Sequence, residues 1–271
     1  MTDDRTVILA AGGTGESYPG DVRTEVTGML KNVTDHVDPN KFRVQWVGYD
    51  ASYGNPTSYM ISKTQLKARL RSLISYYRNC ALLGYSQSAD AMGELAADLV
   101  REGRGDWLKG LAFLGDPARH SRDYIGTRDP GGYGIVGMRG RESYGSIPLF
   151  QAANPGDPIP GASDDSLLRD IADFTPMFQV SDPVKSGLAV LDTLNSKGWQ
   201  NYATHWWEWP VAWRRWNTAK AEANAYMPRI ILPSGFVLNP SGGKHTDYAN
   251  VSPKGFEKPF TTVIANYLNA L

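Results

Sequence analysis

The pentapeptide Gly84-Tyr85-Ser86-Gln87-Ser88 is the feature of this chain that most constrains its fold. An apolar run, Cys80-Ala81-Leu82-Leu83, precedes it and a helical pattern over 89–102 follows it, which together predict a strand, a sharp turn and a helix. In that setting a Gly-x-Ser-x-Gly motif raises a serine hydroxyl above the edge of a sheet. The flanking positions must be small because the turn is strained, and Ser88 stands here where the motif has glycine.

Strand and helix patterns alternate through the first half of the chain. The segment 6–11 is short, apolar and followed by glycines, as expected of a buried parallel strand. The segment 63–79 has apolar residues at helical spacing. This alternation predicts an α/β fold with a mostly parallel central sheet and helices on both faces. Further strands are predicted at 42–49, 80–84, 108–115 and 146–153, and further helices at 22–33, 89–102 and 259–271.

The alternation stops at about residue 160 and resumes with the strand pattern 229–232. We interpret the region of about 160–228 as a helical insertion, packed over the carboxyl edge of the sheet, within a single domain spanning 1–271. Helices are predicted in it at 165–174, 184–195 and 213–226. An aromatic cluster lies among these helices and consists of Trp206, Trp207, Trp209, Trp213 and Trp216.

A serine nucleophile needs a base to accept its proton, and the chain has four histidines. In proteins with a nucleophilic serine between a strand and a helix of this kind, the catalytic residues follow one another along the chain as serine, acid and histidine. The histidine lies in a late loop. His245 fits that order, in a glycine-containing loop shortly before the last predicted helix. His205 lies among tryptophans and suits a cleft lining or core packing. His36 and His120 suit the surface.

The base needs an acid to orient it, and two aspartates end predicted strands in Gly-Asp-Pro turns. Asp157 follows the later strand and is favoured by its place in the chain order. Asp116 ends the strand before it and remains an alternative, since either aspartate could equally be a turn or cap residue. Other candidates are Asp164, Asp165 and Asp173.

The oxyanion of an acyl-transfer intermediate needs two backbone N–H donors. One is predicted at Gln87, the residue after the nucleophile, and the other in the loop that follows the first strand. That loop is Gly12-Gly13-Thr14-Gly15, and Thr14 can add its hydroxyl. The loop lacks the glycine at Tyr18 that a dinucleotide-binding pattern requires.

Composition excludes several functional classes. Lys+Arg and Asp+Glu both number 28, so there is no basic excess to indicate a nucleic-acid partner. The single cysteine, Cys80, permits no intrachain disulfide. There is no His-Glu-x-x-His motif and no cysteine cluster, so neither a metal nor another cofactor is expected. No apolar run approaches the ~18 residues of a membrane span, and residues 1–5 do not resemble a secretory signal.

Taken in order, these motifs resemble the mycobacteriophage lysin B family, cutinase-like serine esterases of the α/β-hydrolase fold. The resemblance spans almost the whole chain, and Ser88 is a departure from the fuller Gly-x-Ser-x-Gly form. The segments that carry it are 12–15, 84–88, 154–157 and 243–248, with 115–119, 132–137 and the tryptophan-rich insertion.

The resemblance implies that Ser86, Asp157 and His245 form a catalytic triad. It implies hydrolysis of the ester that joins mycolic acids to arabinogalactan in the mycobacterial-type cell wall, during host lysis. Synthesis would take place in the host cytoplasm, with release to the cell wall by another lysis factor, and we expect a monomer. An apolar wall for the lipid chain is expected from Trp206, Trp207, Phe174 and Met177, although these side chains would equally suit the core of a helical subdomain.

Other functions remain open at this point. A cutinase-like lipase or polyester hydrolase would act on other lipid esters, and a mycolyltransferase would pass the acyl group to a sugar instead of water. An inactive hydrolase fold that binds cell-wall carbohydrate belongs to a different class. The complete serine, histidine and aspartate set argues against it, since a binding protein needs none of the three.

Overall fold

A five-stranded parallel sheet forms the centre of the computed structural model, which describes residues 4–54, 57–174, 209–232 and 234–271. The strand order is β2-β1-β3-β4-β5, with every neighbouring pair parallel. Helices cover both faces of this sheet, and the predicted α/β-hydrolase fold class is confirmed. The strands are β1 (Thr6–Ala11), β2 (Phe42–Trp46), β3 (Cys80–Tyr85), β4 (Leu108–Leu114) and β5 (Leu149–Ala152).

Seven α-helices lie among the described residues. They are α1 (Lys31–Thr34), α2 (Tyr59–Tyr77), α3 (Gln87–Arg101), α4 (Pro158–Gly161), α5 (Leu167–Phe174), α6 (Trp209–Tyr226) and α7 (Phe260–Asn269). All of them except α4 overlap predicted helices. Among the described residues, no helix has the length and apolar character needed to cross a membrane.

The sheet is buried on both faces, which explains why its central strands are apolar without alternation. Successive side chains of a strand point to opposite faces. Val7, Leu9 and Ala11 therefore pack in one core with α2 and α3. Ile8 and Ala10 pack in a second core with α1 and α7 on the other side.

Two predicted elements were wrong in detail. The helix predicted at 22–33 is reduced to a 3-10 turn, Gly28–Leu30, and the short α1. The preceding residues 21–27 form no regular element, and Arg23 among them donates hydrogen bonds to the carboxylate of Asp21. The strand predicted at 229–232 does not return to the main sheet. Ile230–Ile231 (β6) pairs antiparallel with Val237–Leu238 (β7), because a turn with Gly235 at φ 81° folds the chain back on itself.

Helices α5 and α6 lie in the region where an insertion is predicted. Their apolar sides pack together through Leu167, Leu168, Trp216 and Ala219, in a third core that also includes Ile159. The helix predicted at 184–195 lies outside the described residues. The treatment of 1–271 as one domain with an insertion stays a prediction.

Parallel strands end at the same edge of a sheet, and this arrangement positions the predicted site. The loop after β1, the turn after β3, and the segments after β4 and β5 all lie at the carboxyl edge of this sheet. Residues far apart in the chain, between Gly12 and Asp157, are brought together there. The loop that carries His245 meets the same edge.

Candidate active site

Ser86 occupies the strained turn that the sequence predicts between β3 and α3. Its backbone has φ 57° and ψ −122°, which side-chain-bearing residues rarely adopt. Gly84 permits this turn, because a Cβ at that position would lie 2.8 Å from Cα of Ala89. The serine side chain is thereby held at the N-terminus of α3, above the edge of the sheet.

Ser88 departs from the glycine of the usual motif, and its hydroxyl makes three polar contacts, with the Ala11 carbonyl and with the Tyr85 carbonyl and N–H. The Oγ atom is fully buried and lies 2.5 Å from the carbonyl oxygen of Ala11, to which it donates. The same oxygen accepts the Tyr85 N–H at 2.9 Å. Ser88 thus ties the serine turn to the end of β1, a link that glycine could not make.

The three predicted triad residues are brought together. Nε2 of His245 lies 2.9 Å from Oγ of Ser86, and Nδ1 lies 2.8 Å from Oδ2 of Asp157. All three side chains are buried. An imidazole between a hydroxyl and a carboxylate in this order can accept the hydroxyl proton while the carboxylate stabilises the resulting charge.

Asp116, the alternative acid, is directed elsewhere. Its Oδ1 accepts the Ala118 N–H at 2.9 Å and its Oδ2 accepts Nε2 of Gln151 at 2.8 Å. Burial raises the pKa of this carboxyl above its ordinary value. Asp157 instead caps α4 through the Ile159 N–H and accepts the histidine. The geometry therefore supports Asp157 as the partner of the imidazole.

Two tyrosines that the sequence analysis did not select hold the histidine and its acid. The Tyr85 ring stacks on the His245 ring at 5.1 Å, and its hydroxyl donates to the His245 carbonyl at 2.8 Å. The Tyr248 hydroxyl donates to Oδ2 of Asp157 at 2.7 Å. Burial, followed by the nearby Asp157 charge, raises the pKa of Tyr248 well above its ordinary value, so the phenol keeps the proton that it donates. Both could have been selected from the sequence by their closeness to predicted triad residues, since Tyr85 directly precedes Ser86 and Tyr248 follows His245 by three positions.

The predicted oxyanion donors lie beside Ser86. Within the described part of the chain, neither the Thr14 nor the Gln87 backbone N–H donates to a protein acceptor. The two residues are joined by a hydrogen bond of 3.2 Å from Oγ1 of Thr14 to Oε1 of Gln87. The Gln87 amide also contacts Tyr49 and Ser62, at 3.3 and 3.1 Å. The loop after β1 is in this way fixed to the start of α3, although the role of these groups as oxyanion donors stays a prediction.

Glu16 shapes the loop after β1 from within. Its carboxylate accepts the Gly13 N–H at 2.9 Å and the Met29 N–H at 2.8 Å. Burial raises the pKa of Glu16 above its ordinary value, against the lowering effect of those two N–H groups. The side chain therefore connects the loop to the turn before α1 and holds it near Ser86.

A narrow apolar slot opens at Ser86. It has a volume of about 40 Å³. Two of the four residues predicted to bind substrate, Trp206 and Trp207, lie outside the described residues, as does Met177. The side chain of Phe174, the last residue of α5, lies outside them as well. Residues that do line the slot beside Ser86 are Thr14, Tyr53, Tyr59, Gln87, Pro117, Ile135, Val136, Ile159 and Ala172.

The glycine-rich segment after β4 forms one wall of this region and is held by a buried arginine. Arg119 is fully buried, and the five N–H groups of its guanidinium are shared among six backbone carbonyls. Carbonyl oxygens of both Gly131 and Gly132 are among the acceptors, at 2.9 and 2.8 Å. The segment follows a defined path because one side chain satisfies so many of its carbonyl groups. The other acceptors belong to His120, Ser121, Asp123 and Pro160.

The remaining histidines have other places. Nδ1 of His120 accepts the Arg122 N–H at 3.2 Å, and the His36 carbonyl accepts the Asn269 amide at 2.9 Å. His205 lies outside the described residues. Among the residues described, no group of three or more histidine, cysteine, aspartate and glutamate side chains is placed to hold a metal ion.

Comparisons with known proteins give resemblance at the level of the fold. No protein-family model and no curated protein matches the chain. Lysin B from Mycobacteriophage D29 is 19% identical over 65% of this chain and 73% of that one, with a TM-score of 0.46. A cutinase-like protein from Cryptococcus sp. is 15% identical over 69% of this chain and 94% of that one, with a TM-score of 0.44. An acetyl xylan esterase complex is 18% identical over 61% of this chain and 89% of that one, with a TM-score of 0.39. Because these TM-scores lie below 0.5, the fold assignment rests on the strand order and the serine turn.

Proposed function

We propose that this protein is a serine carboxylic-ester hydrolase with Ser86, His245 and Asp157 as its catalytic triad. The observation that carries the proposal is the unbroken path from Oγ of Ser86 through the imidazole to Oδ2 of Asp157, at 2.9 and 2.8 Å. The strained backbone of Ser86 supports it further, because such strain is retained where function requires it.

The reaction proceeds in two steps. His245 accepts the Ser86 proton as Oγ attacks the ester carbonyl, and Asp157 holds the tautomer and stabilises the imidazolium. The backbone N–H groups of Thr14 and Gln87 hold the oxyanion. The imidazolium then protonates the leaving alcohol. Water, deprotonated by His245, attacks the acyl-enzyme, and the imidazolium returns that proton to Oγ of Ser86 as the acyl–oxygen bond breaks and the acid is released.

The finer proposal concerns the substrate, which we infer to be the ester between mycolic acids and arabinogalactan, cleaved during phage-induced host lysis. The order of the sequence motifs supports it. A protein of this kind would be made in the host cytoplasm, would act on the outer mycolate layer after release, and would work as a monomer without a cofactor. It would bind neither nucleic acid nor the membrane as an integral protein.

A second candidate is a cutinase-like hydrolase of short-chain lipid esters. The specific observation in its favour is the small slot of about 40 Å³ that the described residues form at Ser86. A carbohydrate-binding protein without activity is disfavoured, since it would have no use for a strained serine aligned with an imidazole and a carboxylate.

The deciding experiment measures free mycolic acid released from purified mycolyl-arabinogalactan-peptidoglycan by the native protein and by Ser86→Ala. Ser72→Ala, an exposed position on α2, is the matched control. Release by the native protein and the control, but not by Ser86→Ala, supports the finer proposal. Cleavage of a short-chain nitrophenyl ester without mycolate release supports the second candidate. Activity of Ser86→Ala equal to that of the native protein would refute the assigned nucleophile.

A further inference from the structure

A second, larger cleft continues from the slot at Ser86. It has a volume of about 620 Å³. Four residues line both spaces, so the two adjoin there: Tyr53, Tyr59, Val136 and Ala172. The cleft is therefore accessible to the part of a substrate that extends away from the reacting carbonyl.

The cleft differs from the slot in its chemistry, because a buried ion network forms part of its wall. Lys63 of α2 contacts Asp90 and lies 2.6 Å from Oε1 of Glu94, both on α3. Arg139, from the glycine-rich segment, lies 2.7 Å from Oδ1 of Asp90. Burial would raise the pKa of Asp90, but Lys63 and Arg139 outweigh it and hold the pKa below its ordinary value, so the carboxylate stays charged.

Gly93 makes this wall possible. A Cβ at that position would collide with Nη1 of Arg139 and lie 2.9 Å from the Tyr144 hydroxyl, so a larger residue would displace the guanidinium from α3. Arg139 belongs to the segment 136–140, which lines the cleft, and its contact with Asp90 holds that segment against α3. The residues of the ion network are consequently also residues of the cleft wall.

The charges lining the cleft nearly cancel. Lys63 and Arg139 are opposed by Asp90, Glu94 and Glu142 among the described lining residues. The side chain of Glu94 is 37% exposed, and each of its oxygens accepts one lysine, which leaves lone pairs for a ligand. A wall with donors and acceptors but little net charge suits a neutral ligand rich in hydroxyl groups.

We infer that this cleft binds the alcohol portion of the ester and selects a neutral, polyhydroxylated one, while the acyl carbonyl lies in the slot at Ser86. The inference rests on the proposed esterase function and deepens it. Tyr53 and Tyr59, whose ring centroids are 4.9 Å apart, line both the slot and the cleft and present apolar surface to the carbon face of such an alcohol.

The test compares two butanoyl esters that differ only in the alcohol, one of glucose and one of ethanol. We expect the native protein to hydrolyse the glucose ester with a kcat/KM at least tenfold higher. Met138→Trp and Met60→Trp add bulk at two places in the cleft lining, and each should reduce this preference to threefold or less. Ile61→Trp adds the same group to the residue next to Met60, which does not line the cleft, and should keep the preference.

A polar variant tests the hydrogen bonds separately from the available space. Glu94→Gln keeps the size of the side chain, and it should raise KM for the glucose ester about threefold more than for the ethyl ester, as expected for one weakened hydrogen bond. Equal kcat/KM values for the two esters with the native protein would overturn the inference. So would equal losses on both esters in the tryptophan variants. Failure to cleave either ester, with no labelling of Ser86 by a serine-reactive phosphonate, would instead refute the proposed function and this inference with it.

Discussion

Replacing each of the two strand-ending aspartates by asparagine separates the triad acid from a structural residue. Asparagine has the shape of aspartate but carries one donor group in place of an acceptor and has no charge. In Asp157→Asn the amide nitrogen must occupy one of two positions. At the Oδ1 position it would face the Ile159 N–H, donor against donor. At the Oδ2 position it would face Nδ1 of His245 and the Tyr248 hydroxyl.

Both positions impair the reaction. At Oδ2, the amide would donate to Nδ1, and the imidazole proton would move to Nε2. A protonated Nε2 can no longer accept the proton of Ser86. At Oδ1, the imidazole keeps its tautomer but loses the charge that stabilises it, and a buried N–H costs about 1–3 kcal/mol. We expect kcat to fall by about 10³–10⁴-fold, the size of the effect when a triad acid is replaced this way in a serine protease. That loss corresponds to about 4–5.5 kcal/mol in activation free energy.

Asp116→Asn is the matched control, because a neighbouring side chain can form a hydrogen bond with the new amide group. Its partner Gln151 donates through Nε2, and the Oε1 atom of that amide has no hydrogen-bond partner among the described residues. Rotating the Gln151 amide would let Oε1 accept the new donor. We expect kcat within about threefold of the native value, since neither variant atom reaches the imidazole.

The assay is kcat on a nitrophenyl butanoate at constant pH, with thermal unfolding of each variant followed by circular dichroism. A folded Asp157→Asn that keeps kcat within tenfold of the native value would refute the role given to this residue. A loss of 10²-fold or more in Asp116→Asn, with unfolding unchanged, would transfer that role to Asp116.

Three further predictions concern stability, measured by urea unfolding. Arg119→Met leaves six backbone carbonyl groups without this donor, of which that of Pro160 is buried, and should lower the free energy of unfolding by about 1–3 kcal/mol, while a loss below about 0.5 kcal/mol would contradict the importance given to those bonds. Ser88→Ala removes the link to Ala11 and should cost about 1–2 kcal/mol, and a neutral result would mean that this hydrogen bond adds nothing. Hydrogen bonding to Arg23 is the main cause that lowers the pKa of Asp21. The contribution of this carboxylate to the free energy of unfolding should therefore be full above pH ~4 and be lost as the pH falls through the lowered pKa. The stability difference between the native protein and Asp21→Asn should therefore shrink from pH 5 to pH 2, and a difference that grows would show the opposite linkage.

The serine turn and the parallel sheet could be predicted from the sequence because each depends on local pattern. The run 80–83 is apolar without alternation, which is what burial on both faces requires, and Gly84 and Ser86 stand at fixed offsets from its end. His245 could be selected because chain order left it few rivals. These inferences needed no knowledge of distances across the fold.

The choice between Asp116 and Asp157 could not be settled in the same way. Both stand in Gly-Asp-Pro turns after neighbouring strands, so the pattern around them is the same. The difference lies in three dimensions, since Asp157 points to the histidine loop and Asp116 to Gln151 on the neighbouring strand β5. The hairpin of β6 and β7 could not be predicted for a related reason. Its apolar residues are compatible with a strand of the main sheet as well as with the exposed two-stranded ribbon that they form.

The cleft wall shows how far periodicity misleads about charged residues. Lys63 and Asp90 lie in helical segments where a charged side chain is ordinarily on the solvated face. Both are buried, because each finds opposite charges on an element distant in sequence, and the guanidinium of Arg139 completes the set. Removing a single member of such a network is costly, whereas the network as a whole adds little stability over apolar packing. The accessible part of this network is the carboxylate of Glu94, which is 37% exposed, so a substitution there tests ligand binding with the least disturbance of the buried charges.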